Sequence, residues 1–360
     1  MYSHTQLFLL LSGLFFAALV FSLVVNSVFM RFFRTFGIRE RDAGTVRWSA
    51  SAKPAFGGIS FFIVFLGAFA MHGTLFPKHA DPFQPELIGL LVSTGMGFLM
   101  GLADDAYNTR PLLKFATQVA CGGALILSGT CIHLFHEPWA DSLLTLLWVV
   151  GMMNSINMLD NMDAITTVVS IFILLAGLLA MLTDASTITI NTVLIIGIIG
   201  ALCGFLFYNW NPSRMYMGDT GSQFLGVFLA YVGIRAFWNG GSPTGTEEPW
   251  RQISSAAVVF LLPLVDTTTV TINRIAKGTS PFVGGKDHTT HHLSYTGLSD
   301  AQVALVFSGL GAVSCFLSYV MERFVPVWRP LHTLIFLGYA AVVFAVLFGL
   351  TKRRRIERPL

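Results

Sequence analysis

Apolar residues in this chain come in eleven continuous runs, and most charged residues lie between the runs. A helix of about twenty apolar residues spans the hydrocarbon core of a bilayer. Runs without alternation favour helices over the strands of a membrane β-barrel. The sequence therefore predicts an all-α polytopic membrane protein, a single domain over residues 1–360. The eleven predicted spans cover residues 6–30, 57–76, 86–103, 114–134, 142–158, 164–182, 189–208, 220–237, 254–274, 301–322 and 331–351.

The distribution of charge predicts the orientation of these spans. Charged residues make up 11% of the chain, against about 25% in a soluble domain. Of the 22 Lys and Arg residues, 17 fall on one side of the spans, chiefly in the loops 31–56 and 275–300 and in the basic tail 352–360. Because cytoplasmic loops are enriched in Lys and Arg, the N-terminus is predicted outside and the C-terminus inside. The tail is expected to contact anionic membrane lipids.

The first polar motif on the predicted cytoplasmic side is GLADDAYNTRPLLKFATQ, residues 101–118. Its adjacent carboxylates, Asp104 and Asp105, suit a hard divalent cation such as Mg²⁺, which prefers oxygen ligands. Two neighbouring anions repel each other without a counter-charge, and Lys114 could supply that charge or bind phosphate. The alternative is that the Asp pair only caps a helix at its end.

The second motif, NSINMLDNMDAI, places Asn154, Asn157, Asp160 and Asp163 three residues apart at the end of an apolar run. Polar groups at membrane depth are costly and usually functional. Successive three-residue steps drift around a helix, so we expect either a site that wraps the helix end or a break near Asp160. Asn161 suits such a break because Asn tolerates left-handed backbone. The alternative is that Asp160 or Asp163 caps the next span.

The third motif, YNWNPSRMYMGDTGSQFLG, flanks Asp219 with Gly218 and Gly221. A glycine turn that leads into a helix lets backbone N–H groups approach an anion at the helix N-terminus. Asp219 could bind a metal ion beside that anion. The alternative is that Thr220 or Ser222 simply caps the helix.

The fourth motif, GGKDHTTHHL, brings Asp287, His288, His291 and His292 into one glycine-flanked loop. These histidines could bind phosphate or assist proton transfer. Two His with a carboxylate can also bind Zn²⁺, but the spacing is short and no CxxC or HExxH motif accompanies it. The four Cys residues lie in apolar runs, which favours packing over a disulfide or zinc role. A fifth, weaker motif, AKPAFGGIS at residues 52–60, opens the second span.

In this order the five motifs resemble those of the polyprenyl-phosphate N-acetylhexosamine-1-phosphate transferase superfamily (glycosyltransferase family 4). The resemblance extends from about Lys53 to Ser299. That superfamily includes phospho-N-acetylmuramoyl-pentapeptide transferase and the bacterial enzymes that initiate enterobacterial common antigen, O-antigen and teichoic acid assembly. The long gap from Asp105 to Lys114 looks like the common-antigen and teichoic-acid branch, which uses unmodified UDP-N-acetylhexosamines.

The resemblance implies a role for each matching position. Pro54, Gly57 and Gly58 match a P-x-x-G-G entry, and Met217 to Ser222 match M-G-D-x-G-S. The implied catalytic residues are Asp104, Asp105, Asp160, Asp163, His288 and His291. The implied substrate-binding residues are Lys53, Lys114, Asn154, Asn157, Gly218 and Arg274. The implied ligands of Mg²⁺, with Mn²⁺ as the alternative ion, are Asp219 and Asp105.

Two departures from the family pattern are visible. The family usually reads D-G-x-D-G after the asparagines, whereas this chain has Asn161 and Ala164 in place of the two glycines. Asn161 could keep the backbone turn, and Ala164 would tighten the space around the sugar. The histidine loop also carries Thr289 and Thr290, so it lacks the three consecutive His of the pentapeptide transferase.

The resemblance implies transfer of a sugar-1-phosphate, with GlcNAc-1-phosphate as the default, from a UDP-sugar to undecaprenyl phosphate, with release of UMP. The alternative within the superfamily is phospho-N-acetylmuramoyl-pentapeptide transferase activity. The expected location is the bacterial inner membrane with the site on the cytoplasmic face. A homodimer is a further expectation, and no nucleic-acid partner is expected.

Two other protein classes also carry intramembrane acidic residues. A cation-coupled transporter would place them near the midplane on broken helices, often in inverted repeats, but here they lie toward one face and no repeat is visible. A membrane aromatic prenyltransferase would carry two DxxxD-like motifs. Release of UMP distinguishes both classes from the transferase.

Overall fold

The computed structural model describes residues 4–32, 53–75, 84–182, 189–240, 248–281 and 284–353. These residues form thirteen α-helices and no strand. The helices are α1 (His4–Phe32), α2 (Gly57–Leu75), α3 (Pro85–Tyr107), α4 (Pro111–Leu127), α5 (Pro138–Leu159), α6 (Ile165–Leu182), α7 (Ile190–Asn209), α8 (Gly218–Gly233), α9 (Pro249–Val259), α10 (Leu261–Ala276), α11 (Thr289–Tyr295), α12 (Asp300–Phe324) and α13 (Pro330–Leu350). Most of the loop 31–56 and the tail beyond Arg353 lie outside the described residues.

The all-α polytopic prediction is confirmed in its coarse form. Within the described residues, eight helices are long and apolar enough to cross a membrane, namely α1, α2, α3, α5, α6, α7, α12 and α13. Helix α4 is apolar but shorter, and α8 is extended by a π-helical turn, Ile234–Trp238. The count of eleven spans and the orientation remain predictions.

The predicted span 254–274 consists of two helices that meet at an angle, a feature that the prediction did not include. Helices α9 and α10 meet at Phe260 with a bend of 79°. The cause is Pro263, whose ring collides with the carbonyl of the residue four positions earlier. That residue is Val259, the last residue of α9.

Helix α8 lies at the centre of the molecule. Every residue from Thr220 to Gly233 is buried, as expected of a helix that is surrounded by other helices on all sides. Its neighbours are α2, α3, α5 and α6. Helices α1 and α13 lie at the periphery, and their exposed faces carry large apolar side chains such as Phe8, Phe16 and Leu334. The N-terminus of the central helix is therefore the point on which several helix ends converge.

Candidate active site

Glycines allow the backbones of α2 and α3 to touch the first turn of α8. Gly58 donates its N–H to the carbonyl of Met217 at 3.0 Å. A Cβ at Gly58 would lie 2.1 Å from the backbone nitrogen of Gly221, and one at Gly101 would lie 2.2 Å from the carbonyl oxygen of Asp219. No side chain fits in either place, so the two glycines set the distance at which α2 and α3 pack against the α8 terminus.

Asp105 lies at the end of α3 and caps the N-terminus of α8. The residue before α8, Met217, provides no side-chain cap. Instead, Asp105 Oδ1 accepts the N–H of Asp219 at 2.9 Å, and Oδ2 accepts the N–H and hydroxyl of Thr220 at 2.9 and 2.6 Å. A carboxylate that accepts backbone N–H groups of a helix N-terminus is strongly stabilising. Because both oxygens of Asp105 face α8, this geometry favours positioning over the predicted metal-ligand role. The backbone of Gly218 (φ +75°) lies against this carboxylate, since a Cβ at this position would lie 2.6 Å from Asp105 Oδ2.

The ammonium group of Lys114 lies among three oxygen atoms from three other helices. It is 3.3 Å from Asp104 Oδ2 and 3.4 Å from Asn157 Oδ1, and it forms a short ion pair with Asp219 Oδ2. Asn157 also donates to Asp219 Oδ1 at 2.8 Å and to the hydroxyl of Ser222 at 2.9 Å. Thus α3, α4, α5 and α8 each contribute one residue to this cluster, which we call the lysine cluster (Asp104, Lys114, Asn157 and Asp219).

The lysine cluster has the chemistry of a cation site. Its oxygen donors from Asp104, Asn157 and Asp219 are hard ligands that already surround one cation, the ammonium. Mg²⁺ is typically held by one or two carboxylates together with waters and substrate phosphates. In the described part of the chain, no three His, Cys, Asp or Glu side chains form a closed metal cluster. The oxygen atoms of Asp104, Asn157 and Asp219 could hold a divalent cation that completes its coordination with waters and a phosphate.

A group of three amides lies one helical turn deeper than the lysine cluster. Gln118 Nε2 donates to Gln223 Oε1 at 3.1 Å and to Asn154 Oδ1 at 3.3 Å, and Asn154 Nδ2 donates back to Gln118 Oε1 at 2.7 Å. Gln118 and Gln223 are fully buried. Each amide shares a helix with a member of the lysine cluster, so these bonds fix the register of α4, α5 and α8. The predicted substrate-binding residue Asn154 is engaged in this network.

Asp163 holds the loop that precedes α8. Its carboxylate accepts from the side chain of Asn211 at 3.0 Å and from the N–H and hydroxyl of Ser213 at 2.9 and 2.7 Å. Lys53 pairs with it at 3.8 Å and donates to Ser213 at 2.9 Å. These contacts contradict the alternative that Asp163 caps α6. Asp160 lies at the C-terminal cap of α5, where the predicted break is confirmed.

The turn between α5 and α6 differs from the expectation for its backbone. The left-handed residue is Ala164, with φ +66°, whereas Asn161 has no positive φ. The expectation that Asn161 supplies the left-handed turn is therefore wrong. An L-residue in this region costs about 1–2 kcal/mol, and Ala164 is held there by its N–H bond to Asn209 Oδ1 at 3.2 Å. Asn161 instead donates to the carbonyl of Met158 at 2.9 Å.

The histidine loop is built on a carboxylate that the sequence motifs did not single out. Asp266 on α10 is completely buried. It lies 2.8 Å from His288 Nδ1, and it accepts the N–H and hydroxyl of Thr289 at 2.8 and 2.6 Å. The signal in the sequence was an Asp inside an apolar run, near its inner end. Burial lowers the pKa of His291 to about 3, and the adjacent His288 adds to the shift.

Arg274 is a structural partner of this loop. Its guanidinium forms a bidentate pair with Asp287 at 2.9 and 2.7 Å and donates to the carbonyl of Pro281 at 2.7 Å. Burial raises the pKa of the Asp287 carboxyl, but the hydrogen bonds and charge of Arg274 outweigh it and hold that pKa below its usual range. Arg274 is buried and its charge is paired with Asp287, and its substrate-binding role remains a prediction.

Seven of the site residues predicted from the sequence lie elsewhere, as described above, and the other six fall into two groups. One is the lysine cluster, and the other comprises His288, His291 and their partners around Asp266. The end of α5 and the turn after it connect the two groups, because Asn157 of α5 belongs to the first group and Asn161 in the turn contacts Thr290 beside the second.

Comparison with known proteins finds one matching family model and several similar transferases. The family model described as glycosyl transferase family 4 matches residues 87–237, which include the whole lysine cluster. The chain is 24% identical over 310 residues to the probable undecaprenyl-phosphate N-acetylglucosaminyl 1-phosphate transferase of Bacillus subtilis, covering 84% of this chain and 82% of that protein. It is 26% identical over 291 residues to the decaprenyl-phosphate N-acetylglucosaminephosphotransferase of Mycobacterium leprae, covering 74% and 72%.

A second kind of relative is also similar. The chain is 25% identical over 305 residues to a phospho-N-acetylmuramoyl-pentapeptide-transferase of Staphylococcus epidermidis, covering 78% of this chain and 88% of that protein. These matches confirm the superfamily resemblance, and they lean toward the N-acetylglucosamine branch.

Proposed function

We propose, with the confirmed superfamily resemblance as the premise, that this membrane protein transfers GlcNAc-1-phosphate from UDP-GlcNAc to a polyprenyl phosphate and releases UMP. The observation that carries the proposal is the lysine cluster. It collects two carboxylates, an amide and an ammonium from four helix ends inside the segment that matches the family.

The reaction joins two anions, so charge is its main obstacle. An oxygen of the polyprenyl phosphate attacks the sugar-bearing phosphorus of the UDP-sugar. A new P–O bond forms, the bond to the UMP oxygen breaks, and UMP leaves with the electron pair. Catalysis of phosphoryl transfer consists largely of positioning and electrostatic stabilisation. Because a phosphate monoester with a second pKa of about 6 is already mostly dianionic at neutral pH, the attack does not require a strong base.

Each member of the lysine cluster has a task in this scheme. Lys114 would pair with the diphosphate, for which a compact ammonium is suited. Asp104 and Asp219, with the amide of Asn157, would hold Mg²⁺, or Mn²⁺ in its place. A bound divalent cation would supply neutralisation of charge on the phosphoryl oxygens. Asp105 would orient the first turn of α8, so that Asp219 faces the cluster.

The two substrates explain why such a site would lie at helix ends. The UDP-sugar arrives from water and the polyprenyl phosphate from the bilayer, so both meet only near the membrane surface. The excess of Lys and Arg in the loops on this side supports a cytoplasmic site in a bacterial inner membrane.

The test is a reconstituted reaction. The purified protein in detergent is mixed with undecaprenyl phosphate, Mg²⁺ and a panel of UDP-sugars that includes UDP-GlcNAc, UDP-GalNAc and the UDP-MurNAc-pentapeptide. UMP and the lipid diphosphate sugar are detected by mass spectrometry, with Asp219→Asn as the control variant. Product with UDP-GlcNAc that is absent in the variant supports the proposal, and product only with the pentapeptide donor would assign the other branch. Folded protein that releases no UMP with any donor would refute it.

The cation requirement is tested in the same assay. Activity should vanish with EDTA and return with Mg²⁺ or Mn²⁺. Full activity in EDTA would remove the cation from the proposal and leave Lys114 as the main positive charge in the site.

A further inference from the structure

The short helix α11 is attached to the rest of the protein on two sides. On one side, Asp266 of α10 binds His288 and Thr289, as described above. On the other side, the hydroxyl of Thr290 donates to Asn161 Oδ1 at 2.6 Å. Thr290 is completely buried, whereas Asn161 is partly exposed.

Asn161 forms hydrogen bonds with both the end of α5 and helix α11. Its amide nitrogen donates to the carbonyl of Met158, in the last turn of α5. Its backbone also hydrogen-bonds with His291. The side chain therefore connects the end of the helix that carries Asn157 to the helix that carries His291. A glycine at position 161 could make neither side-chain bond.

We propose that the Asn161–Thr290 hydrogen bond is a positioning contact. It fixes helix α11, which carries His291, relative to the turn after α5. It holds His288 and His291 at a fixed distance from Asn157 and Asp160. Asn161 is a position at which this chain departs from the family pattern described above, and Thr290 is one at which it departs from the pattern of the pentapeptide transferase. The catalytic part of the inference rests on the proposed function, whereas the docking of α11 does not.

The docking is tested without substrate. Hydrogen–deuterium exchange of residues 289–295 is compared between the wild-type protein, Thr290→Val and Asn161→Ala. Valine keeps the branched shape of threonine and removes only the hydroxyl. The matched control is Thr296→Val, which removes a hydroxyl that bonds within the same helix region, to Leu293. Faster exchange of α11 in the first two variants, and wild-type exchange in the control, is the expected result.

The kinetic test asks whether this docking matters for the reaction. Loss of one such bond is worth about 1 kcal/mol, which corresponds to roughly a fivefold fall in kcat. The KM for the polyprenyl phosphate should stay unchanged, because the proposed reaction gives His288 and His291 the role of offsetting charge on the diphosphate of the donor. Thr290→Ser keeps the hydroxyl and should restore kcat. The double variant Thr290→Val with Asn161→Ala should be no slower than the slower single variant, since both remove the same contact.

The possible outcomes distinguish the docking of α11 from its effect on the reaction. Unchanged exchange of α11 in both single variants overturns the docking. Faster exchange with wild-type kcat makes the contact merely structural and overturns its positioning role. If the wild-type protein releases no UMP, the proposed function fails, and the exchange experiment still decides whether the contact docks α11.

Discussion

The replacement of Asp105 by Asn tests whether this residue is a cap or a metal ligand. Asp105 accepts three hydrogen bonds from the first turn of α8, one on Oδ1 and two on Oδ2. An amide can keep only one of these oxygens as an acceptor. Its NH₂ group would then face the N–H of Asp219, a donor against a donor.

The cost of this change can be worked from the contacts. A hydrogen bond to a charged group contributes about 1.5–3 kcal/mol, and one between neutral groups about 0.5–1.5 kcal/mol. Asp105→Asn removes one charge-assisted bond and converts two others to neutral bonds. We expect the free energy of unfolding to fall by about 3–5 kcal/mol, a large part of the roughly 5–15 kcal/mol that proteins possess.

The adjacent carboxylate provides the matched control. Asp104 bonds to the N–H and hydroxyl of Thr109 through one oxygen and faces Lys114 with the other. Asp104→Asn keeps an acceptor for Thr109, so we expect a loss of only about 1 kcal/mol. Both variants should lose transferase activity, but Asp105→Asn should lose several times more stability than Asp104→Asn.

The assay is unfolding by denaturant in detergent micelles, followed by circular dichroism, together with titration of Mn²⁺ into each folded variant. Under the cap interpretation, Asp104→Asn weakens Mn²⁺ binding and Asp105→Asn lowers the unfolding midpoint. The reasoning is refuted if Asp105→Asn unfolds like the wild-type protein and no longer binds Mn²⁺, because Asp105 would then be a ligand and not a cap.

Three further predictions concern packing, pH and the buried amides. Gly58→Ala should lower the free energy of unfolding by about 1–3 kcal/mol or more, because its Cβ would lie 2.1 Å from the backbone of Gly221. The control Gly67→Ala, where a Cβ would have nothing within 4 Å, should leave the unfolding midpoint unchanged. Equal midpoints in the two variants would contradict this packing. His291 is neutral in the folded state, with a pKa of about 3, while its unfolded pKa is about 6.5. The unfolded chain therefore binds more protons below pH ~6.5, and stability should fall by about 1.4 kcal/mol per pH unit as the pH drops. His291→Gln should reduce the slope of unfolding free energy against pH, and an unchanged slope would show that other groups cause it. Gln118→Leu should destabilise the protein by about 1–3 kcal/mol for each amide left unpaired, and unaltered thermal unfolding would show that water replaces the lost bonds.

The helical content and the membrane class follow from the sequence, because burial in lipid requires long apolar segments whatever their arrangement. The break after Leu159 was also predictable, because polar residues end an apolar run there. The bend at Phe260 was not predicted, although Pro263 is present in the sequence, because hydrophobicity alone does not distinguish a straight helix from a broken one.

The motifs also identified the residues that form the lysine cluster. Their residue types indicated cation and phosphate chemistry, since polar groups at membrane depth are costly and usually functional. Asp266 was harder to identify, because a single Asp within a span has no spacing pattern that reveals its partners.

The partner of each side chain was decided only by the tertiary structure. Asp104 and Asp105 are neighbours in sequence, yet successive helical positions point about 100° apart, so one faces Lys114 and the other faces the backbone of α8. Which carboxylate meets the cation and which caps a helix depends on how closely α3 packs against α8. That distance is set by glycines and by contacts between residues more than 100 positions apart, which no local pattern in the sequence encodes.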